Sequence, residues 1–149
     1  MLSKLVNWFE EKTRQDEQAG RESSHEVATA VLLYELMRAD GDFSAEEQNA
    51  YEHILRTRFT LDDTQLTELL DLTKDKAAQA VDFSQFTRVI NDTCTPEQRR
   101  GIIDGLWKIA YADDVLDPEE EHMIRRVADL LYVSHSQFIQ SKLAAAGDL

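Results

Sequence analysis

Asp40, Asp42 and Glu47 lie within eight residues of one another, and Asp113, Asp117 and Glu120 form a second such group further along the chain. Carboxylates this dense on a short loop suit a hard divalent cation such as Ca²⁺, Mg²⁺ or Mn²⁺, which prefers oxygen ligands. Both groups belong to one repeated string. Ala39-Asp40-Gly41-Asp42-Phe43-Ser44-Ala45-Glu46-Glu47 reappears as Ala112-Asp113-Asp114-Val115-Leu116-Asp117-Pro118-Glu119-Glu120, at an offset of 73 residues. The match extends outward, pairing Leu33 and Leu36 with Leu106 and Ile109, Tyr51 with Ile124, Leu55 with Ala128, and Phe59 with Tyr132. One extra residue in the first copy then brings Asp62, Gln65 and Leu66 onto Ser134, Gln137 and Phe138. A unit of this length cannot bury a core alone, so two copies packed together are expected.

Each loop joins two antiparallel helices. In the first, Gly41 can take a left-handed conformation and Phe43 can fold into the core, which brings Asp40 and Glu47 towards the same point. In the second, Asp114 replaces the glycine, and Asp tolerates the left-handed region better than most residues. The pattern matches the second half of an EF-hand loop but not the first. Leu36 and Arg38 occupy the places of the first two acidic ligands, as do Ile109 and Tyr111 in the second copy. A second account needs no metal. Ser44 and Asp117 are N-caps, Glu47 and Glu120 stand at N3 where a capping box uses Glu or Gln, and Glu46 and Glu119 favour the positive end of the helix dipole. Each cap is worth about 0.5–2 kcal/mol. Capping leaves Asp40, Asp42 and Asp113 unused, since they precede the caps.

The elements that carry these loops are helical. Five glycines, two prolines and no alternating apolar run indicate an all-α protein, a compact bundle of about seven helices with an internally duplicated hairpin. Leu2, Leu5, Val6 and Phe9 mark one face of a short N-terminal helix, and residues 13–22 read as its frayed end and a linker. Residues 1–22 therefore form an N-terminal appendage to a domain spanning 23–149. Ser24 is expected to cap a central helix to about Arg38, with an apolar stripe broadened by Leu32, Leu33 and Leu36. Further helices are expected from Ser44 to about Arg58, from Asp62 to about Thr73 and from Asp82. Thr95-Pro96-Glu97-Gln98 is a strong start signal for a second central helix to about Ala112. Gly101 and Gly105 on that helix each cost about 1 kcal/mol relative to Ala, which close approach of a neighbour would offset. Helices from Asp117 to about Tyr132 and from Ser134 to near Gly147 complete the set, and the two central helices should pack together.

Sixteen basic and 29 acidic residues give a net charge of −13, nearly all of it beyond residue 22. Such a surface repels phosphate backbones, which argues against nucleic-acid binding and for cations or a protein partner with a basic surface. The lone Cys94 allows no internal disulfide and no thiolate cluster. No stretch has the length of a membrane span or of a signal-peptide core, so stable membrane insertion is not expected and a cytoplasmic location is. Glu22-x-x-His25 and Glu119-x-x-His122 have the spacing of di-iron bundles, but both lie at or before a first helical turn, so they read as solvated residues. His53 and His135 read as surface residues, and no nucleophile elbow or phosphate loop is present. Trp8 can pack on the body or meet a partner.

The string Ala39-Asp40-Gly41-x-Phe43-x-x-x-Glu47, repeated as Ala112-Asp113-x-x-Leu116-x-x-x-Glu120, resembles the TerB-like family, the tellurite-resistance protein B group, over roughly Ser24 to Ala146. The resemblance implies a compact all-α domain of about seven helices with two-fold character. It also implies an acidic site for divalent metal at Asp40, Asp42, Glu47, Asp113, Asp117 and Glu120, and a cytoplasmic role linked to tellurite or other stress; the chain itself reads as a non-enzymatic module. Val115 departs from that pattern where the first copy has Asp42. The alternative is a protein–protein adaptor whose acidic loops are capped turns without metal.

Overall fold

The computed structural model describes residues 17–39, 44–80 and 82–147, with side chains from His25 onward. Seven helices run through them: α1 (Glu17–Arg38), α2 (Ala45–Arg58), α3 (Asp63–Gln79), α4 (Ser84–Thr93), α5 (Pro96–Ala110), α6 (Pro118–Leu130) and α7 (His135–Gly147). No strand occurs among the described residues, and none of their helices is long and apolar enough to cross a membrane. The expected N-terminal helix with Trp8 lies outside the described residues, as do Asp40, Gly41, Asp42 and Phe43.

The middle helix is α1. From Ala28 to Leu33, and again at Leu36 and Met37, its side chains are fully or almost fully buried. A helix apolar on so many sides needs neighbours on so many sides. α3 and α4 pack along one flank, and α2, α5 and α6 also touch it. The expected contact between the two central helices, α1 and α5, is present. Tyr51 on α2 donates its hydroxyl to the Ala30 carbonyl of α1 at 3.4 Å. On the other side of α5, Phe138 of α7 packs on Trp107, with ring centroids 5.2 Å apart, and Ser141 donates to Asp104.

Two helix boundaries differ from expectation. α1 begins at Glu17 rather than after Ser24, so residues 17–22 continue the helix instead of linking to it. Ser23 and Ser24 sit in its interior, where the backbone ladder supplies what a side-chain cap would. α3 continues six residues beyond Thr73 to Gln79. Lys74 to Gln79 are mostly strong helix formers, and Ala77 gains a buried place at 6 % exposure.

The ends of α2 and α6 also shift the repeat. Phe59 and Leu131 are their C-caps, and Thr60 and Tyr132 follow in the left-handed region at φ 53° and 60°. The next residues, Leu61 and Val133, close 6→1 bonds to the carbonyls of Arg56 and Ala128 at 3.0 and 2.9 Å, and both are buried. Phe59 therefore corresponds to Leu131, not to Tyr132, which is 78 % exposed. The extra residue of the first copy falls inside α2, 14 residues long against 13 for α6.

Gly101 and Gly105 face α2. A Cβ at Gly101 would meet Arg58 Nη1 at 2.9 Å, whereas one at Gly105 would meet Ile54 Cγ2 and Leu33 Cδ2 at 3.6 and 3.8 Å, ordinary contact. Gly105→Ala should therefore raise stability by about 0.5–1 kcal/mol through helix propensity. Gly101→Ala should gain less or lose, because the guanidinium must move. Urea unfolding of both variants checks this; a destabilised Gly105→Ala would mean that α2 and α5 have no room to spare.

Candidate functional site at the two acidic hairpins

Both acidic loops sit at helix starts, and the caps form. Ser44 Oγ accepts the Glu47 N–H at 3.0 Å, and Asp117 Oδ1 accepts the Glu119 N–H at 2.8 Å. Asp113 Oδ1 accepts the Val115 N–H at 3.2 Å, which closes an Asx turn. Asp114 sits at φ 62°, the left-handed place expected for it.

The N3 residues then divide by type. Gln65, Gln98 and Gln137 each accept the backbone N–H of their N-cap residue, at 3.0, 2.8 and 3.4 Å, and each remains at the surface or near it. Glu47 and Glu120 turn inward, each with 1 % of its surface exposed. The Ser44 hydroxyl donates to Glu47 Oε1 at 3.1 Å. Glu46 and Glu119, one residue earlier, stay exposed. A surface cap does not require a carboxylate to leave water, and leaving it costs several kcal/mol unless donors or a cation receive the charge. The caps account for Ser44 and Asp117, while the two glutamates make interactions of their own away from water.

Among the described residues, no three His, Cys, Asp or Glu side chains converge as a group able to hold a metal ion. Asp113 and Asp117 are partly buried near the surface, whereas Glu120 points into the protein. Of the first group only Glu47 is described, with Asp40 and Asp42 outside the described residues. The donor set suits a hard cation, being all carboxylate oxygen with two members held in a low-dielectric setting. Glu119 and His122 lie exposed in the first turns of α6, and His53 and His135 are also exposed. Cys94 is buried, and burial pushes its thiol up.

A second polar place lies apart from the acidic motifs. A cleft of about 600 Å³ opens where the C-terminal end of α2 meets the N-terminal end of α5, with Arg58 in its wall. Its one signal in the chain was the helix-interior Gly101, against which the Arg58 guanidinium lies.

The family described as Tellurite resistance protein TerB matches residues 26–143 of this chain. No curated protein and no solved structure matches it significantly.

Asp114 tests whether its loop does more than turn the chain. If the residue serves only the left-handed turn, Asp114→Gly should stabilise the protein by about 0.5–1 kcal/mol, since glycine adopts φ above zero freely. Thermal melts in chelator and in millimolar Ca²⁺ measure this; destabilisation, or a loss confined to the cation arm, would give the Asp114 carboxylate a role of its own.

Proposed function

Because the chain belongs to the TerB family of tellurite-resistance proteins, we propose that it is a non-enzymatic, cytoplasmic stress-response module that binds a divalent cation at its first acidic hairpin. The observation that carries this reading is the inward placement of Glu47 and Glu120, each 1 % exposed, where Gln at the same helix position stays at the cap. Asp40, Asp42 and Glu47 of the first hairpin would hold the ion, whereas Asp113, Asp117 and Glu120 of the second are not gathered as a ligand group. Ca²⁺, Mg²⁺ and Mn²⁺ fit the all-oxygen donor set. A bound cation would offset the charge of the carboxylates and tie the loop to its helix, so cation level would set how firmly the hairpin is held. The acidic body, at net −13, suits a protein partner with a basic surface.

One observation favours the metal-free adaptor instead. Asp113 and Asp117 each already accept a local backbone N–H, which accounts for one oxygen of each without an ion. The two readings separate in a melting experiment. Under the metal reading, cation at about 100-fold excess over Kd stabilises the native state by about 2.7 kcal/mol. Glu47→Gln and Asp40→Asn should lose that increment while keeping a cooperative melt in chelator. A wild-type melt indifferent to millimolar Ca²⁺, Mg²⁺ and Mn²⁺ would leave the capped-turn adaptor as the function of this surface.

A further inference from the structure

Arg58 is unusual in this chain. Carboxylates outnumber basic side chains 29 to 16, yet among the described residues none lies within ion-pair distance of its guanidinium. Burial pushes its pKa down, and its Nε is buried without a hydrogen-bond partner. Its one hydrogen bond runs from Nη2 to the Gln98 carbonyl at 3.0 Å. The place is built for it, because Gly101 leaves room where a Cβ would stand 2.9 Å from Nη1. The Asp104 carboxylate acts on the guanidinium from beyond ion-pair distance and takes a hydrogen bond from Ser141 instead. A second guanidinium, that of Arg99, stands close enough that both act on the Cys94 thiol, and it too has a buried Nε without a partner.

The walls of the cleft supply further donors. Thr95 Oγ1 accepts the Gln98 N–H at 3.1 Å, which leaves its own proton free to donate outward. Thr60 also lines the cleft, at φ 53°, where a β-branched residue is strained and glycine would be at ease. The closure that seats Leu61 imposes this φ, as it does at Tyr132, and it leaves the Thr60 side chain on the cleft wall. Glu97 on the rim is exposed and solvated, and Glu26 on the wall has an interaction of its own. Glu47, near the other end of α2, is about 16 Å away at 1.5 Å per residue, about twice the screening length of about 8 Å in physiological salt.

We propose that this cleft binds a compact oxyanion, either inorganic or the phosphoryl group of a small metabolite, with the Arg58 fork as its principal donor and Thr60 and Thr95 beside it. A planar guanidinium meets two oxygens of such a group at once. The site is independent of the cation reading of the hairpins.

Inorganic phosphate titrated into the full-length protein at constant ionic strength tests it, followed by amide NMR. Saturable shifts centred on Thr60, Thr95, Gln98 and Gly101 are expected. Arg58→Gln should weaken binding roughly tenfold or more, the scale of one charge-assisted hydrogen bond. Arg58→Lys should restore it only in part, because charge returns without the fork. Thr60→Gly gives opposite signs, a higher melting temperature from relieved strain and weaker phosphate binding. A parallel titration with glycerol phosphate separates the sources: tighter binding than phosphate assigns the site to a phosphoryl metabolite, and weaker binding to the free oxyanion. No saturable shifts at the cleft up to tens of millimolar, or equal binding by wild type and Arg58→Lys, would overturn the proposal. If Arg58→Gln fails to fold, the Lys and Gly variants still decide it.

Discussion

The burial of α1 is the constraint from which the rest of the structure follows. Val31, Leu32, Leu33 and Met37 face different directions around the helix and none touches water. Each such side chain contributes about 1.5–3 kcal/mol when buried, so the chain gains most by surrounding this helix completely. α3 and α4 cover one flank, and α2, α5 and α6 the rest. Glu47 and Glu120, at N3 of α2 and α6, are enclosed in this packing, whereas Gln65 and Gln98 at the same position of α3 and α5 stay at or near the surface.

Charge is distributed along α2 as a consequence. Its first turn carries Glu46 and Glu47, while its C-terminal end carries Arg58 across to the Gln98 carbonyl of α5. Under the two proposals the helix would join a cation site at one end to an anion site at the other. The two are linked by a rigid rod rather than by shared groups, and their ligands would be bound separately. α6 repeats only the first half of this arrangement, since its last turn ends in Asp129 and Leu130 and offers no cation like Arg58.

Much of the fold was legible in the residues. The start signals at Ser44, Asp62, Thr95, Asp117 and Ser134 all open helices, because a cap is a local bond between a side chain and a backbone N–H two or three residues away. The left-handed turn at Asp114 was legible for the same reason. The starting point of α1 was not, since a helix interior tolerates Ser23 and Ser24 when neighbouring elements hold the chain. The length of α3 was missed because polar helix formers from Lys74 onward resemble a loop until Ala77 finds a buried place.

The sequence by itself determined the all-α class, the capped helix starts from Ser44 onward and the acidic excess, and it carries the acidic string twice; the caps rest on interactions within a few residues. It could not decide which way an N3 side chain turns. Gln65 and Glu47 occupy the same local position after similar caps, yet one reaches back to its cap and the other enters the protein. Nor could it place Arg58 against Gly101, 43 residues away in the chain. Both outcomes depend on which helix lies opposite, and that is settled only when α1 has been enclosed.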